Sequence, residues 1–374
     1  MDSPIRVLVV DDSAFTRKVV SDMLAQDPGI TVVDVARDGK AAIEKVRSLR
    51  PDVVTLDVEM PVMDGLAALR AIMGEFPTPV VMLSALTQEG AATTIQALEL
   101  GAVDFVPKPS HSMTVGLGEI RDLLVGKVKL AAQAKVHPLR AGRTGKRWVG
   151  GNLPGHGLGQ TPGSALPGYS ARADAPRRKA AYGGEPDLTV VIGASTGGPS
   201  ALNQVLPALP ADIQATILVV QHMPPGFTKS LATRLNDASS IEVKEAEQGD
   251  RLIDGRALVA PGGHHMTLTD DGCVSLSAEP PRNGVRPSAD TTMESAARVF
   301  GDRVVGVVLT GMGRDGAAGM AAIKAAGGRT IAEHESTCVI YGMPRVVIDQ
   351  GVADIVVPLF DVAHAITDAI QQLK

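Results

Sequence analysis

The feature that most constrains the fold is the alternation of short apolar runs with stretches of helical spacing. In the first part of the chain a helical stretch follows each of five such runs, at residues 6–10, 30–36, 52–57, 79–85 and 103–109. Near-continuous apolar runs of this length are typical of parallel strands that helices cover on both faces. The pattern therefore predicts an α/β fold with five parallel strands, in which ligands bind at the carboxyl ends of the strands.

Polar residues stand at the predicted carboxyl ends of these strands, namely Asp11, Asp12, Asp57, Ser84 and Lys108. Three carboxylates at one edge repel one another unless a cation joins them, and oxygen ligands suit Mg²⁺. Lys108 can pair with a carboxylate or a phosphate, and Ser84 can donate to a phosphoryl oxygen. Helix capping could account for the aspartates singly, but it does not explain a lysine opposite them. We therefore predict a magnesium site with side chains beside it that can contact a phosphate.

The segments VVDDS, TLDVEMPVMDGL, MLSA and DFVPKP, in this order, resemble a response-regulator receiver domain with a flavodoxin-like fold. The resemblance covers about 120 residues. It implies that Asp57 is the phospho-acceptor of a two-component system. It also implies that Asp12, Asp57 and the backbone carbonyl of Glu59 hold Mg²⁺, with Asp11 assisting through water.

The same resemblance implies how phosphorylation is transmitted. Ser84 and Phe105 would form the switch pair, and Lys108 would contact the phosphoryl group. These roles come from the matched motifs, whereas the clustering of the polar residues comes from the strand pattern itself.

A basic segment rich in glycine and proline follows the first α/β region. Residues 127–182 carry eleven Lys or Arg and one acid, Asp174, although the chain as a whole has a net charge of −5. The segment has no apolar period, so it is predicted to be a flexible linker, either a solvated tether or a docking site for an acidic partner. The predicted division is a receiver at 1–125, a linker at 126–184 and a second domain at 185–374.

The alternation returns after the linker. Apolar runs at 188–193, 215–221 and 303–310 are predicted strands, and helical spacing follows each of them. Alternation about Asp271-Gly272, within residues 265–277, is typical of a β-hairpin. The second domain is therefore predicted to be a doubly wound parallel α/β domain with an antiparallel β-hairpin at its edge.

One polar residue follows each of these three strands: Ser195, His222 and Asp315. A serine hydroxyl needs a base to act as a nucleophile, and the base needs a carboxylate to orient it. Backbone N–H groups at the start of the helix after Ser195 suit an oxyanion. We therefore predict a Ser-His-Asp triad. A phosphate-binding turn, a structural histidine and an N-cap aspartate remain alternatives for the three residues.

The segments IGASTGGP, VVQHMPPGFT, RLN, APGGHHM and LTGMGRDGAAGM extend the resemblance to nearly the whole chain outside the linker. Together with the receiver motifs they resemble the chemotaxis methylesterase family, the phosphorylation-regulated protein-glutamate methylesterases. The resemblance implies that Ser195, His222 and Asp315 form the triad. It further implies that the backbone N–H of Met312, with help from Thr196, stabilises the oxyanion.

The resemblance to this family also implies a reaction and its partners. The substrates would be glutamate γ-methyl esters on the cytoplasmic helices of methyl-accepting chemoreceptors, with deamidation of receptor glutamines as a side activity. A chemotaxis histidine kinase would be the phosphodonor, and the unphosphorylated receiver would block the active site. Ester hydrolysis would need no cofactor, so Mg²⁺ would serve the receiver alone.

A second hypothesis is that the receiver controls a binding or output module without catalysis. The basic linker could then hold nucleic acid, but no helix-turn-helix pattern or interleaved aromatic residues support this, so we expect no nucleic-acid partner. No apolar run reaches the roughly 18 residues of a membrane span, and the N-terminus lacks the pattern of a secretory signal. The chain also has only two cysteines, so a framework of disulfide bonds, which is typical of secreted proteins, is not expected. We therefore expect a cytoplasmic protein without membrane insertion.

Overall fold

The structure is a computed structural model that describes residues 3–85, 87–108, 117–136 and 186–374. It contains two parallel sheets, each with helices on both faces, which correspond to the two predicted α/β regions. Residues 137–184 of the predicted linker lie outside the described residues. The division of the chain into three parts therefore stays a prediction.

The first sheet has five parallel strands in the order β2-β1-β3-β4-β5, as predicted. Strands and helices alternate throughout, and the last helix continues past residue 125. The elements are β1 Ile5–Val10, α1 Ala14–Ala25, β2 Ile30–Ala36, α2 Gly39–Leu49, β3 Val53–Asp57, α3 Gly65–Glu75, β4 Val80–Ser84, α4 Gln88–Glu99, β5 Asp104–Pro107 and α5 Leu117–Ala131.

Local sequence explains where the helices of this domain begin. Each of α1 to α4 follows a residue whose side chain accepts a backbone N–H of the first helical turn, namely Ser13, Asp38, Asp64 and Thr87. Such caps satisfy donors that have no partner inside the helix. Strands β3 and β4 between them are buried along their whole length, so the sheet forms the centre of the core.

The second sheet has seven strands, all parallel, in the order β14-β13-β12-β6-β7-β9-β8. Strands β6 and β7 are fully buried, as their continuous apolar sequences predict. The elements are β6 Thr189–Ala194, α6 Gly198–Val205, β7 Thr216–Gln221, α7 Phe227–Ala238, β8 Glu242–Glu245, β9 Arg256–Val259, β10 His265–Leu268, β11 Val274–Ser277, α8 Ala289–Phe300, β12 Val304–Val308, α9 Ala317–Ala325, β13 Arg329–Glu333, α10 Met343–Asp349, β14 Ile355–Val357 and α11 Leu359–Gln372.

The predicted hairpin is present as the antiparallel pair β10–β11, but it is not an edge of the main sheet. It forms a separate two-stranded sheet that packs on α8. The backbone of β10 bonds to side chains of that helix: Thr292 donates to the Met266 carbonyl at 2.7 Å, and the Leu268 N–H donates to Ser295 at 2.8 Å. The helix therefore occupies the side of β10 on which another strand would pair.

The two domains meet through the receiver helix α4, which packs on α6 and α7 of the second domain. Beside it, the ring of Phe105 stacks on that of Phe227, with the ring centroids 4.5 Å apart. At the C-terminal end of α4, Glu99 forms an ion pair with Arg234 of α7. The receiver thus contacts the two helices that follow β6 and β7.

Within the described ranges, we find no helix that is both long enough and apolar enough to span a bilayer.

Two helical glycines with different surroundings should respond in opposite ways to substitution by alanine, because one lies in the close contact of α9 with α8 and the other, in α5, has open space around it. A Cβ at Gly319 would lie 2.4 Å from the Cβ of Met293, whereas a Cβ at Gly126 in α5 meets no atom within 4 Å. Gly319→Ala should lower the free energy of unfolding by about 1–3 kcal/mol through overpacking. Gly126→Ala should raise it by up to about 1 kcal/mol through helix propensity. Scanning calorimetry of the intact chain tests this, and a shift of both variants in one direction contradicts it.

Candidate active site

Three neighbouring strands of the second sheet bring Ser195, His222 and Asp315 to one edge. Ser195 directly follows β6, His222 directly follows β7, and Asp315 lies in the loop between β12 and α9. Ser195 and His222 line a cavity of about 510 Å³. His222 and Asp315 line a second cavity of about 240 Å³, which shares Met312 and Asn283 with the first. The structure therefore brings the three residues to one region, as the strand pattern predicts.

The backbone of Ser195 is held on both sides. Its N–H donates to the Thr310 carbonyl at 3.1 Å, and its carbonyl accepts from the Gln221 side chain at 2.9 Å. Gly311 must lack a side chain, because a Cβ there would lie 2.6 Å from the Cβ of Ser195. These contacts fix the turn at the end of β6 without using the hydroxyl group.

The ring of His222 contacts Asp315 through Nε2, which lies 2.8 Å from Asp315 Oδ2. Both side chains are buried, with 9% and 3% of their surface exposed. This contact leaves Nδ1 as the nitrogen that can act on a second group. Among the described residues, no hydrogen bond joins the Ser195 hydroxyl to the His222 ring. The role of Ser195 as nucleophile therefore stays a prediction.

The Asp315 carboxylate lies at the amino end of α8. It accepts the Ser288 hydroxyl and the Ala289 N–H, each at 2.6 Å, and the Asp290 N–H at 3.2 Å. Burial alone would raise the pKa of Asp315, but the hydrogen bonds from His222, Ser288 and Ala289 outweigh it and hold the pKa below the usual range. Asp315 is not the N-cap of its own helix, because Gly316 occupies that position of α9.

The two residues predicted to stabilise an oxyanion lie in different surroundings. Met312 is 53% exposed and lines the larger cavity. Thr196 is buried, and its hydroxyl donates to Asp104 of the receiver at 2.6 Å. Within the described part of the chain, the backbone N–H groups of both residues have no acceptor. Their role as oxyanion donors stays a prediction, and the Thr196 hydroxyl is already engaged by Asp104.

In the receiver, the acidic residues gather as predicted. Oxygens of Asp11, Asp12 and Asp57 lie within 4.8 Å of one another, a set of hard donors that fits Mg²⁺. Lys108 Nζ lies 2.5 Å from Asp57 and 3.4 Å from Asp11. Burial raises the pKa of Asp57 to about 6, although Lys108 acts in the opposite direction. The Glu59 N–H donates to Asp57 at 3.2 Å, and the ligand role of the Glu59 carbonyl stays a prediction.

The two predicted switch residues both contact elements at the junction of the two domains. Ser84 is fully buried, and its hydroxyl accepts from Thr94 of α4 at 2.6 Å. Phe105 is buried against Phe227 of the second domain, with Lys127 Nζ 5.1 Å from its ring centroid. Both residues thus contact elements of the domain junction, while their switching role stays a prediction.

Sequence reasoning missed several residues that shape the site. Ser288 could have been found, because a serine before an apolar helical stretch is an N-cap pattern. Gln221 precedes His222, but no pattern indicates that its side chain reaches the Ser195 carbonyl. Asp104 and Phe227 carried no signal, because their roles arise from packing between domains.

Comparisons with known proteins agree with the two-domain description. Residues 190–366 match the family model described as CheB methylesterase, and residues 7–115 match the response regulator receiver domain. A protein-glutamate methylesterase/protein-glutamine glutaminase of Symbiobacterium thermophilum is 53% identical to this chain, covering 98% of it and 97% of the relative. Proteins of the same name from Pyrococcus abyssi and Archaeoglobus fulgidus are each 48% identical; the alignments cover 99% and 96% of this chain, and 95% and 97% of the relatives.

The buried position of Asp315 predicts a pH-dependent contribution to stability. Because its pKa in the folded chain lies below the ordinary value of 3.8, the ionised group stabilises the fold above that value, and the contribution is lost as the pH falls further. At pH 7, Asp315→Asn should lower the free energy of unfolding by about 2–4 kcal/mol, since it leaves buried donors poorly paired. This difference from wild type should shrink below about pH 4.

Urea unfolding of the intact chain between pH 7 and pH 3 measures this difference. Asp349→Asn, at an exposed pair with Arg345, is the control and should change the free energy by less than about 0.5 kcal/mol at each pH. A wild-type advantage that stays constant or grows on acidification would show that Asp315 is not held as an anion.

Proposed function

Because this chain belongs to the family of protein-glutamate methylesterases/protein-glutamine glutaminases, we propose that it demethylates glutamate γ-methyl esters of chemoreceptors with Ser195, His222 and Asp315. Phosphorylation of Asp57 would activate the reaction. One observation carries the assignment of the triad: His222, bonded through Nε2 to the buried Asp315, lines the same cavity as Ser195.

The proposed reaction is an acyl transfer in two stages. Nδ1 of His222 takes the hydroxyl proton as Ser195 Oγ attacks the ester carbonyl carbon, and the anionic Asp315 stabilises the resulting imidazolium. His222 then gives this proton to the departing methoxide, so methanol leaves an acyl-serine. Water attacks the acyl-serine with His222 again as base, which restores Ser195 and releases the γ-carboxylate. With a glutamine substrate, ammonia would leave in place of methanol.

The charge that develops on the ester oxygen needs donors that are in place beforehand. The backbone N–H of Met312 and that of Thr196 fulfil this requirement in the proposal, because both are without an acceptor among the described residues. Donors of this kind contribute on the order of 3 kcal/mol each to the barrier. The proposed reaction uses no cofactor at this site.

At the receiver, Asp11, Asp12 and Asp57 would hold Mg²⁺ together with the Glu59 carbonyl. Bound there, the ion would supply the positive charge that lets an anionic phosphoryl donor approach a carboxylate. Lys108, 2.5 Å from Asp57, would contact the phosphoryl group once it is transferred. The proposed donor is a chemotaxis histidine kinase, and the proposed site of action is the cytoplasmic face of the receptors.

The proposed control by the receiver rests on its position over the site. Residues of β5 and α5 line the same cavity as Ser195 and His222. The receiver thus forms part of the wall past which a receptor helix would have to approach Ser195. Asp104 also holds the hydroxyl of Thr196, next to Ser195. The unphosphorylated receiver would therefore exclude the substrate and restrain the nucleophile turn.

The alternative of a receiver-controlled binding module without catalysis has less support. It gives no reason for a histidine at the cavity wall to be oriented by a carboxylate that itself accepts two hydrogen bonds of 2.6 Å. The names of the relatives also describe enzymes.

Removal of the nucleophile gives the sharpest test of the proposal. Ser195→Ala should lower kcat for methanol release from methylated receptor membranes by about 10⁶-fold, because the triad acts as a unit. Ser200→Ala, in helix α6 of the same domain, is the matched control and should retain full activity. Equal activity of Ser195→Ala and wild type would disprove the triad and favour the binding module.

The contact between Asp104 and Thr196 predicts an activating substitution in the receiver. Asp104→Ala should raise the activity of the unphosphorylated chain by about 10- to 150-fold, since a hydrogen bond to a charged group contributes about 1.5–3 kcal/mol. Phosphorylation by a small acyl phosphate with Mg²⁺ should then bring the activity of wild type closer to that of Asp104→Ala. The measurement is methanol release with and without the phosphodonor.

The control for this substitution is Asp27→Ala. Asp27 pairs with Lys129 of α5 at 2.6 Å, much as Asp104 pairs with Lys127 of the same helix at 2.5 Å. Unlike Asp104, Asp27 accepts no hydrogen bond from the second domain among the described residues. It should leave the basal activity unchanged. If Asp104→Ala has the same basal activity as Asp27→Ala, this contact does not restrain the enzyme.

A further inference from the structure

A buried carboxylate that the proposed reaction does not use lies behind the nucleophile turn. Glu333 is the last residue of β13, and none of its surface is exposed. Its Oε2 accepts the backbone N–H of Thr310 at 2.7 Å. Thr310 follows β12, the strand that lies between β13 and β6 in the sheet. Glu333 therefore contacts Thr310, which lies next to Ser195, from the side of β12 that is away from β6.

Thr310 joins this carboxylate to the two residues of the nucleophile turn. Its carbonyl accepts the Ser195 N–H at 3.1 Å, and its hydroxyl donates to the Thr196 carbonyl at 3.0 Å. The same hydroxyl accepts the Ile340 N–H at 3.0 Å. Two residues later the chain reaches Met312, the proposed oxyanion donor. The position of Thr310 thus sets both the nucleophile and the oxyanion donor.

The carboxylate is costly for the fold. Burial raises the pKa of Glu333, and the Thr310 N–H, the Thr337 hydroxyl and the Cys338 thiol oppose this only in part. Its other oxygen, Oε1, has no hydrogen-bond partner among the described residues. Breaking or leaving unpaired a buried polar group costs stability, and apolar residues of similar volume are often at least as stable at such positions. Fold stability alone gives no reason for a carboxylate here.

We infer that Glu333 is a positioning residue for the esterase reaction: through the N–H of Thr310 it fixes the distance between the Ser195 turn and the Met312 N–H. The inference rests on the proposed function. It predicts a loss in kcat rather than in substrate binding, because Glu333 lies behind the turn and not in the cavity that Ser195 lines. Misplacement of reacting groups by about 1 Å costs on the order of 100-fold in rate.

Two substitutions of the intact chain separate the hydrogen bond from the volume of the side chain. Glu333→Met keeps the length but removes the acceptor, and it should lower kcat for methanol release by about 30-fold with KM within about 2-fold. Glu333→Gln keeps a carbonyl oxygen for the Thr310 N–H and should stay within about 3-fold of wild type. Rates are expressed per Ser195 that reacts with a fluorophosphonate, so that unfolded protein does not contribute.

Thr330→Val is the control for a general loss of stability. Thr330 lies at the other end of β13, is fully buried and donates to the Val352 carbonyl at 2.6 Å. This variant should lose stability but keep its kcat. If Glu333→Met does not fold, Glu333→Leu tests the same contact, because it also removes the acceptor of the Thr310 N–H, and it should lower kcat by about 30-fold.

Three results would overturn the inference: a wild-type kcat in Glu333→Met, an equal loss in Glu333→Gln, or a wild-type kcat in Glu333→Leu where that variant replaces Glu333→Met. Failure of the proposed function has a different signature. In that case wild type itself would release no more methanol than Ser195→Ala, and the inference would fall with it.

Discussion

The interaction on which the rest of the site depends is the fixation of the Asp315 carboxylate at the amino end of α8. The loop after β12 supplies the carboxylate, α8 supplies three donors, and β7 supplies the ring that the carboxylate orients. Since a buried anion is stable only when it is fully hydrogen-bonded, these three elements must come together for the charge to exist. The carboxylate contacts Nε2 of His222, so Nδ1 is the nitrogen that would act on Ser195 in the proposed reaction.

The sequence predicted the parts of this arrangement that depend on strand order, but not those that depend on packing. Apolar runs located the strands of the receiver and three central strands of the second domain, and the residues after them gave Ser195, His222 and Asp315. The hairpin was predicted at a sheet edge, yet its outer backbone groups bond to α8. Periodicity identifies a strand but not its neighbour. The contact of Thr196 with Asp104 joins residues 92 positions apart in different domains, and no local pattern could reveal it.

The domain junction connects the proposed phosphorylation site to the proposed active site by short routes. In the proposed control, Ser84 would turn from Thr94 toward a phosphoryl group on Asp57. It would thereby lose the 2.6 Å bond that now ties it to α4. Helix α4 packs on α6, the helix that begins three residues after Ser195. A shift of α4 would thus act on the turn that carries Ser195.

A second route runs through β5, where Phe105 and Asp104 are adjacent but contact different parts of the second domain. The ring of Phe105 stacks on Phe227 at the start of α7, whereas Asp104 holds the Thr196 hydroxyl. Because one short strand carries both contacts, a shift of its backbone would affect both of them. The contact between the rings buries apolar surface at the junction, and the hydrogen bond fixes the relative orientation of Asp104 and Thr196. In the proposed control, one movement of β5 would therefore both release the turn that carries Ser195 and open the cavity to the substrate, because Asp104 and Phe105 line it.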